Sequence, residues 1–276
     1  MRTRLFPLVL LLLVVACNEA VPPPPAVPTA TPLPVVTIGL SGSAAPVADL
    51  VEAAYEEAVP GVDVNFVVGN NATLFQDLER GNVDALLVHH LPAGSDQWYN
   101  PVAMDGVVLV VHPENPVRAV TRAEVQALFN GRVDNWAGVG GPERAVTVVG
   151  RERGSGARLL FNQRVMVEQR ASINTVIEPD NAALLAAVAA DPGAIGYSML
   201  GATGGRDDVV ALTLDGVEPT PNSVGTQNYP LTVPLYFVAP TEPAGPGPGG
   251  TLRAFLAWLQ ADEGQIILSE KYGRVR

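Results

Sequence analysis

One cysteine, one lysine and three histidines are all that this 276-residue chain holds of those residue types. Each scarcity removes a class of function. Cys17 alone forms neither an intrachain disulfide nor a thiolate metal cluster. His89, His90 and His112 are too dispersed for a convincing zinc site, so neither a metal nor a cofactor is expected. Positive charge is also short. Lys and Arg total 17 against 28 Asp and Glu, a net charge of −11, which leaves no broad basic face for nucleic acid. A small anion held by a few arginines is compatible with that balance, because local donors decide such a contact. The apolar run over residues 5–16 is shorter than the roughly 20 residues a membrane-spanning helix needs.

Arg2 and Arg4 precede that run, and it ends in Val14-Val15-Ala16-Cys17. The pattern resembles a bacterial lipoprotein signal peptide, in which a small residue precedes a cysteine that receives lipid and becomes the first mature residue. The expected organisation is a leader over 1–16, a lipidated Cys17 and an extracytoplasmic chain anchored to the cell membrane. Residues 18–34 carry prolines at 22–25, 28, 32 and 34 among alanines and threonines, which favours polyproline II over a packed core. At about 3.1 Å per residue, such a tether reaches on the order of 50 Å.

The folded part is expected to start near Val35, with enough chain beyond it for two lobes. Stretches 35–40, 62–68, 85–88 and 107–112 have the β-branched character of strands, and 46–58 and 72–80 alternate with them as helices. Thr121-Arg-Ala-Glu124 is a capping box that opens a helix to Phe129, stopped by Asn130-Gly131. Asp180 leads an alanine-rich helix that Asp191-Pro192-Gly193 halts before a strand over 194–198. Segments 252–259 and 265–268 complete the helical patterns, after a proline- and glycine-rich loop over 243–250. Alternation of this kind predicts the α/β class.

The stretch Arg151-Glu-Arg-Gly-Ser-Gly-Ala-Arg158 falls where a β-branched run, Val148-Val149-Gly150, passes into an apolar helical pattern. Free N–H groups at a helix start, glycines that allow close approach, a serine hydroxyl and planar guanidinium forks together suit an oxyanion. The same residues also compose an ordinary flexible turn with surface arginines.

Four segments in order, Gly131-Arg-Val-Asp-Asn-Trp136, Val148 to Arg158, Asp191-Pro-Gly-Ala-Ile-Gly-Tyr197, and Tyr229-Pro-Leu-Thr232 with Leu235-Tyr-Phe237, resemble the phosphate-binding proteins of bacterial phosphate ABC transporters. The resemblance runs from about Val35 to Gly273. It implies a two-lobed periplasmic-binding fold of type II, each lobe a sheet flanked by helices, with the ligand in the cleft between them. The implied lobes are 35–111 plus 229–276, and 112–228. It also implies capture of a small inorganic oxyanion, phosphate foremost, by a monomer that delivers it to ABC permease subunits.

Carried over position by position, the first anion loop matches Ser41, Gly42, Ser43 and Ala44. The second matches Asn71 and Thr73, although Asn71 serves equally as a helix N-cap. In the second lobe Arg151 matches the clamping arginine, and Ser155 and Gly156 match hydroxyl and backbone donors. Ala157 stands where the family usually has threonine. Arg158 either clamps the anion or forms a salt bridge. Many of these proteins place an aspartate at the end of the third strand to accept a hydrogen bond from a ligand that still carries a proton; here His89 and His90 stand there. The segment Asp84-Ala-Leu-Leu-Val-His-His90 also resembles tungstate-binding relatives, so tungstate, molybdate and sulfate stay open, as does a tethered anion sensor. A hydrolase with Ser155 as nucleophile and His89 as base lacks both the Gly-x-Ser-x-Gly pattern and a third orienting residue.

Overall fold

β-branched stretches and alanine-rich stretches alternate through residues 35–275, which a computed structural model describes; the leader, Cys17 and the proline-rich tether lie outside the described residues. The order opens with β1 (Val36–Ser41), α1 (Pro46–Ala58), β2 (Val64–Gly69), α2 (Asn71–Arg80), β3 (Ala85–Val88) and β4 (Trp98–Val111). It continues through β5 (Ala119–Val120), α3 (Arg122–Phe129), β6 (Thr147–Arg151), α4 (Gly156–Phe161), β7 (Val176–Glu178), α5 (Asn181–Ala190) and β8 (Ala194–Met199). Short elements α6 (Leu200–Thr203), β9 (Val210–Ala211), β10 (Thr213–Leu214) and α7 (Pro221–Gly225) precede β11 (Thr232–Ala239), α8 (Pro248–Gln260) and α9 (Asp262–Leu268). Strands pair in the order β2-β1-β3-β11-β4-β8-β6-β7, with β9 also on β4 and a separate β5–β10 pair.

The mixed sheet has parallel wings and an antiparallel middle. β1 is parallel to β2 and β3, and β6 is parallel to β7 and β8, whereas β11 runs antiparallel to β3 and β4. β4 joins the two halves. Its residues up to Gly106 pair with β11, and Val107–Val111 pair with β8. This strand starts at Trp98 rather than near 107, because Asn100, Pro101, Asp105 and Gly106 disguise its first part. Pro101 has no N–H for the ladder, and the register with β11 shifts beside it, between Leu235 and Tyr236.

The fold is two-lobed, and each lobe has its own core. One contains Ile38, Leu40, Tyr55, Phe237, Phe255 and Tyr272; the other contains Val107–Val111, Phe129, Trp136, Phe161, Ile195 and Tyr197. Burial of one such side chain contributes about 1.5–3 kcal/mol. Trp136 is fully buried and its indole Nε1 donates to the Gly193 carbonyl at 2.9 Å. A Cβ on Gly193 would lie 2.5 Å from the Ala145 carbonyl oxygen. The Asn-Trp and Pro-Gly segments are therefore two sides of one packing contact in the second lobe.

Local signals hold at several helix ends. Thr121 and Glu124 form the reciprocal capping box, and Asp180 caps α5 through Ala183 N–H at 2.7 Å. The 243–250 stretch is not all loop, since α8 starts at Pro248. Proline at a helix start sacrifices an N–H that has no intrahelical partner there anyway. Among the described residues no helix is long and apolar enough to cross a membrane.

Candidate functional site

Two loops of the first lobe and one of the second meet between the cores. β1 ends at Ser41, and the chain turns through Gly42 and Ser43, with Ala44 N–H donating to the Ser41 carbonyl at 2.7 Å before α1 begins. β2 lies beside β1 in the register Ser41↔Gly69, so Asn70 and Asn71 emerge next to that turn. From the second lobe, β6 brings Arg151 to its end and Ser155-Gly156 open α4. Together these loops enclose a cavity of about 10 Å³, the space of roughly one water centre. Ser41, Gly42, Ser43, Gly69, Asn70 and Asn71 line one side; Arg151, Glu152, Ser155 and Gly156 line the other.

Arg151 is 4 % exposed and thoroughly braced. Its Nε donates to Glu152 Oε2 at 2.9 Å, Nη2 to Glu152 Oε1 at 3.4 Å and Nη1 to Asn181 Oδ1 at 3.4 Å. Ser198 Oγ donates to the same Asn181 oxygen at 3.0 Å. The Arg151 N–H donates to the Tyr197 hydroxyl oxygen at 3.1 Å, and the Tyr197 ring stacks on Phe161 at 4.1 Å. Burial pushes the Tyr197 hydroxyl above its ordinary pKa, and its contact with Arg151 N–H offsets part of that rise. A Cβ on Gly42 would stand 3.8 Å from Arg151 Nη2, so the guanidinium of one lobe reaches the first loop of the other.

Contact between the lobes is tight at the glycine loop. Gly154 has φ +86°, and a Cβ there would lie 2.5 Å from Asn70 Oδ1. Asn70 Nδ2 donates across the cleft to Glu152 Oε1 at 2.9 Å and to the Arg153 carbonyl at 3.3 Å. The other end of that amide caps α2, accepting from Ala72 N–H at 3.0 Å. The cap is thus Asn70 rather than Asn71. Asn71 is 3 % exposed, its Nδ2 donates to the His90 carbonyl at 3.4 Å, and its buried Oδ1 has no hydrogen-bond partner. Ser155 Oγ accepts from Arg158 N–H at 3.3 Å, which leaves its own proton for the cavity.

Of the residues singled out from sequence, Ser41, Gly42, Ser43, Asn71, Arg151, Ser155 and Gly156 come together around this cavity. Ala44 and Ala157 are fully buried and pack into the two cores. Thr73 faces solvent from α2. Arg158 Nη1 donates to the Arg151 carbonyl at 2.7 Å and lines a neighbouring hollow of about 460 Å³ with Phe129 and Tyr197.

His89 does not line the cavity, contrary to the expectation for the end of β3. That strand lies inside the sheet between β1 and β11, so the residue that continues it is covered. Its side chain is fully buried behind Ser43, with Nδ1 3.2 Å from Ser43 Oγ. Nε2 stands 2.9 Å from Asp105 Oδ2, short of full hydrogen-bond alignment, and neither of these two atoms has another polar partner. Asp105 Oδ1 accepts from Gly106 N–H at 2.7 Å and Gly201 N–H at 3.1 Å. His90 is only partly buried; its Nε2 approaches Gln163 Nε2 of the second lobe at 3.4 Å, and burial lowers its pKa.

Three participants escaped the sequence reading: Asn70, Glu152 and Asp105. Asp105 had a usable signal, being an acidic residue inside the apolar run 102–111, where an ionised group needs partners. Asn70 and Glu152 sit beside residues already singled out, but nothing in their spacing marks a contact across the cleft. Among the described residues no group of acidic, histidine or cysteine side chains is arranged to hold a metal ion.

A family model described as "PBP superfamily domain" matches residues 25–263. The Bacillus subtilis phosphate-binding protein PstS is 27 % identical over 207 residues, covering 74 % of this chain and 63 % of the relative. PstS of Pseudomonas aeruginosa is 27 % identical over 193 residues, covering 62 % of this chain and 58 % of the relative. The matches thus span somewhat less than two thirds of these relatives' length. A structure from Clostridium perfringens, described as a candidate phosphate ABC transporter substrate-binding protein with bound phosphate, superposes with a TM-score of 0.80 at 25 % identity. It covers 88 % of this chain and 100 % of that one. A phosphate transport receptor from Vibrio cholerae shares the fold at a TM-score of 0.68 and 22 % identity, with 87 % and 100 % covered.

Proposed function

Because this chain belongs to the PBP superfamily, we propose that it captures a small inorganic oxyanion, phosphate foremost, between its lobes and delivers it to an ABC permease. The observation that carries this reading is the convergence on one small cavity of Arg151 and Ser155 from one lobe with Ser41, Ser43 and Asn71 from the other. A charge-assisted hydrogen bond contributes about 1.5–3 kcal/mol net. A handful of them supplies the roughly 8 kcal/mol of micromolar binding. The phosphate bound in the Clostridium perfringens relative and the PstS identity of the curated relatives support the same ligand class.

The cavity between the loops is small, and in this reading the lobes part to admit phosphate and close on it. We place lobe 1 at 35–106 plus 234–276 and lobe 2 at 107–233, shifted from the expected boundaries at 111 and 229 because Val107–Val111, Tyr229, Leu231 and Val233 pack in the second lobe's core. The hinge lies where β4 passes from β11 to β8 and where the chain returns through residues 225–234. Lipid on Cys17 would hold the protein at the outer face of the cell membrane, with residues 18–34 as its tether. The protein is a binder in this reading, with no turnover of the anion. Calorimetric titration of the purified protein with phosphate, sulfate, molybdate and tungstate tests it: phosphate should bind tightest, at micromolar Kd or below. Absence of binding to all four would end the oxyanion reading, and a preference for tungstate would reassign the ligand.

A further inference from the structure

Ser43, His89 and Asp105 form a chain of polar contacts that runs from the cavity wall into the fully buried interior of lobe 1. An ionised carboxylate can only accept hydrogen bonds. Asp105 Oδ1 is already engaged by the N–H groups of Gly106 and Gly201, which meet much of its charge. Oδ2 stands 2.9 Å from His89 Nε2 and neither atom has another polar partner, so a ring proton on Nε2 is the arrangement that meets the remaining carboxylate charge. In a neutral imidazole the other nitrogen is then bare and can only accept. Its one neighbour in reach is Ser43 Oγ at 3.2 Å, whose proton must point inward to His89. The outward face of Ser43 is left with lone pairs alone. Ser41 Oγ, 3.2 Å away, can donate to one of them, and the second faces the cavity.

We propose that His89 and Asp105 lock Ser43 as a hydrogen-bond acceptor toward the bound anion, making Ser43 a residue that selects a protonated oxyanion over a fully ionised one. The proposal rests on the oxyanion reading of the site. Arg151 and Ser155 line the opposite wall with protons to donate, whereas Ser41 spends its proton on Ser43 and Asn71, its Nδ2 held by the His90 carbonyl, presents a second acceptor in Oδ1. Hydrogen phosphate offers one proton, which an acceptor-only Ser43 satisfies. Sulfate offers none and would set its oxygen against the Ser43 lone pair, so the site discriminates without a carboxylate in contact with the ligand. His89 and Asp105 are positioning residues, acting through Ser43. Glu152 is the one carboxylate in the cavity wall, but Arg151 and Asn70 already occupy its oxygens.

The test is the ratio of sulfate to phosphate Kd, measured by calorimetry on the full chain, together with ¹⁵N chemical shifts of the histidine rings. Ser43→Ala and His89→Leu should each narrow the phosphate preference by about tenfold, the worth of one hydrogen bond. Ser43→Thr, which restores a hydroxyl, should leave it in place. In the phosphate complex the His89 signals, assigned by their loss in His89→Leu, should show a protonated Nε2 and a bare Nδ1. An unchanged ratio in Ser43→Ala or a doubly protonated His89 ring would overturn the proposal. Should His89→Leu fail to fold, the ratio in Ser43→Ala still decides. If the parent binds neither anion, the oxyanion reading falls, whereas phosphate binding with an unaltered ratio defeats this inference alone.

Discussion

Gly154→Ala separates the strain of a loop from its contact across the cleft. With φ at +86°, an alanine there adopts a conformation that costs about 1–2 kcal/mol in a non-glycine residue, whether the lobes are open or closed. That part should appear as a lowered Tm of the ligand-free protein. The new methyl would also lie 2.5 Å from Asn70 Oδ1, a collision that exists only when the lobes meet. Moving Asn70 aside breaks its bonds to Glu152 at 2.9 Å and to the Arg153 carbonyl at 3.3 Å. At about 0.5–1.5 kcal/mol net for each, closure should lose about 1–3 kcal/mol. Phosphate affinity should therefore fall by about 5- to 150-fold, beyond any change in stability. Titration at a temperature where parent and variant are both folded measures this. Equal affinities, with only the melting temperature lowered, would refute the claim that the Asn70 contact belongs to the binding-competent closed form.

Arg151→Lys keeps the charge but loses the fork that meets Glu152 and Asn181, so phosphate binding should weaken by at least about tenfold in titration. Cys17→Ser should release the protein from membranes in a fractionation assay without changing its melting temperature. Burial lowers the pKa of His90, so the folded protein favours the neutral ring. The unfolded chain takes up a proton near the ordinary value of about 6.5, so stability is full above that pH and falls as pH drops through it. His90→Gln should flatten the slope of Tm against pH between about 7.5 and about 5, and an unaltered slope would place the titration elsewhere.

Local chemistry made much of this architecture legible. The Thr121–Glu124 box, the Asp180 cap and the glycine loop before α4 are each decided within a few residues, and periodicity reports those directly. β4 was only half visible, because an antiparallel strand beside a bulge tolerates Pro101 and Asp105 where an isolated pattern reads them as breakers. The site divides along the same line. Arg151, Ser155 and the Ser41–Ser43 turn stand out as donor-rich strand-to-helix junctions, whereas His89 was assigned to the cleft by its position at a strand end.

What reassigns His89 is nonlocal. Asp105 lies on the strand that leaves the lobe, and only the pairing of β4 with β11, and of β11 with β3, brings the carboxylate and the imidazole together inside the sheet. The strand-end position still governs the cavity, but through the proton on Ser43 rather than by contact with the anion. A histidine and an aspartate can stand in different places in the two cases and present the same thing to a ligand, a lone pair at the cavity wall. A carboxylate brings a full negative charge with it; a hydroxyl oriented from behind does not. In a cleft where Arg151 is already paired with Glu152, the second arrangement keeps the Asp105 carboxylate one imidazole and one hydroxyl away from the anion.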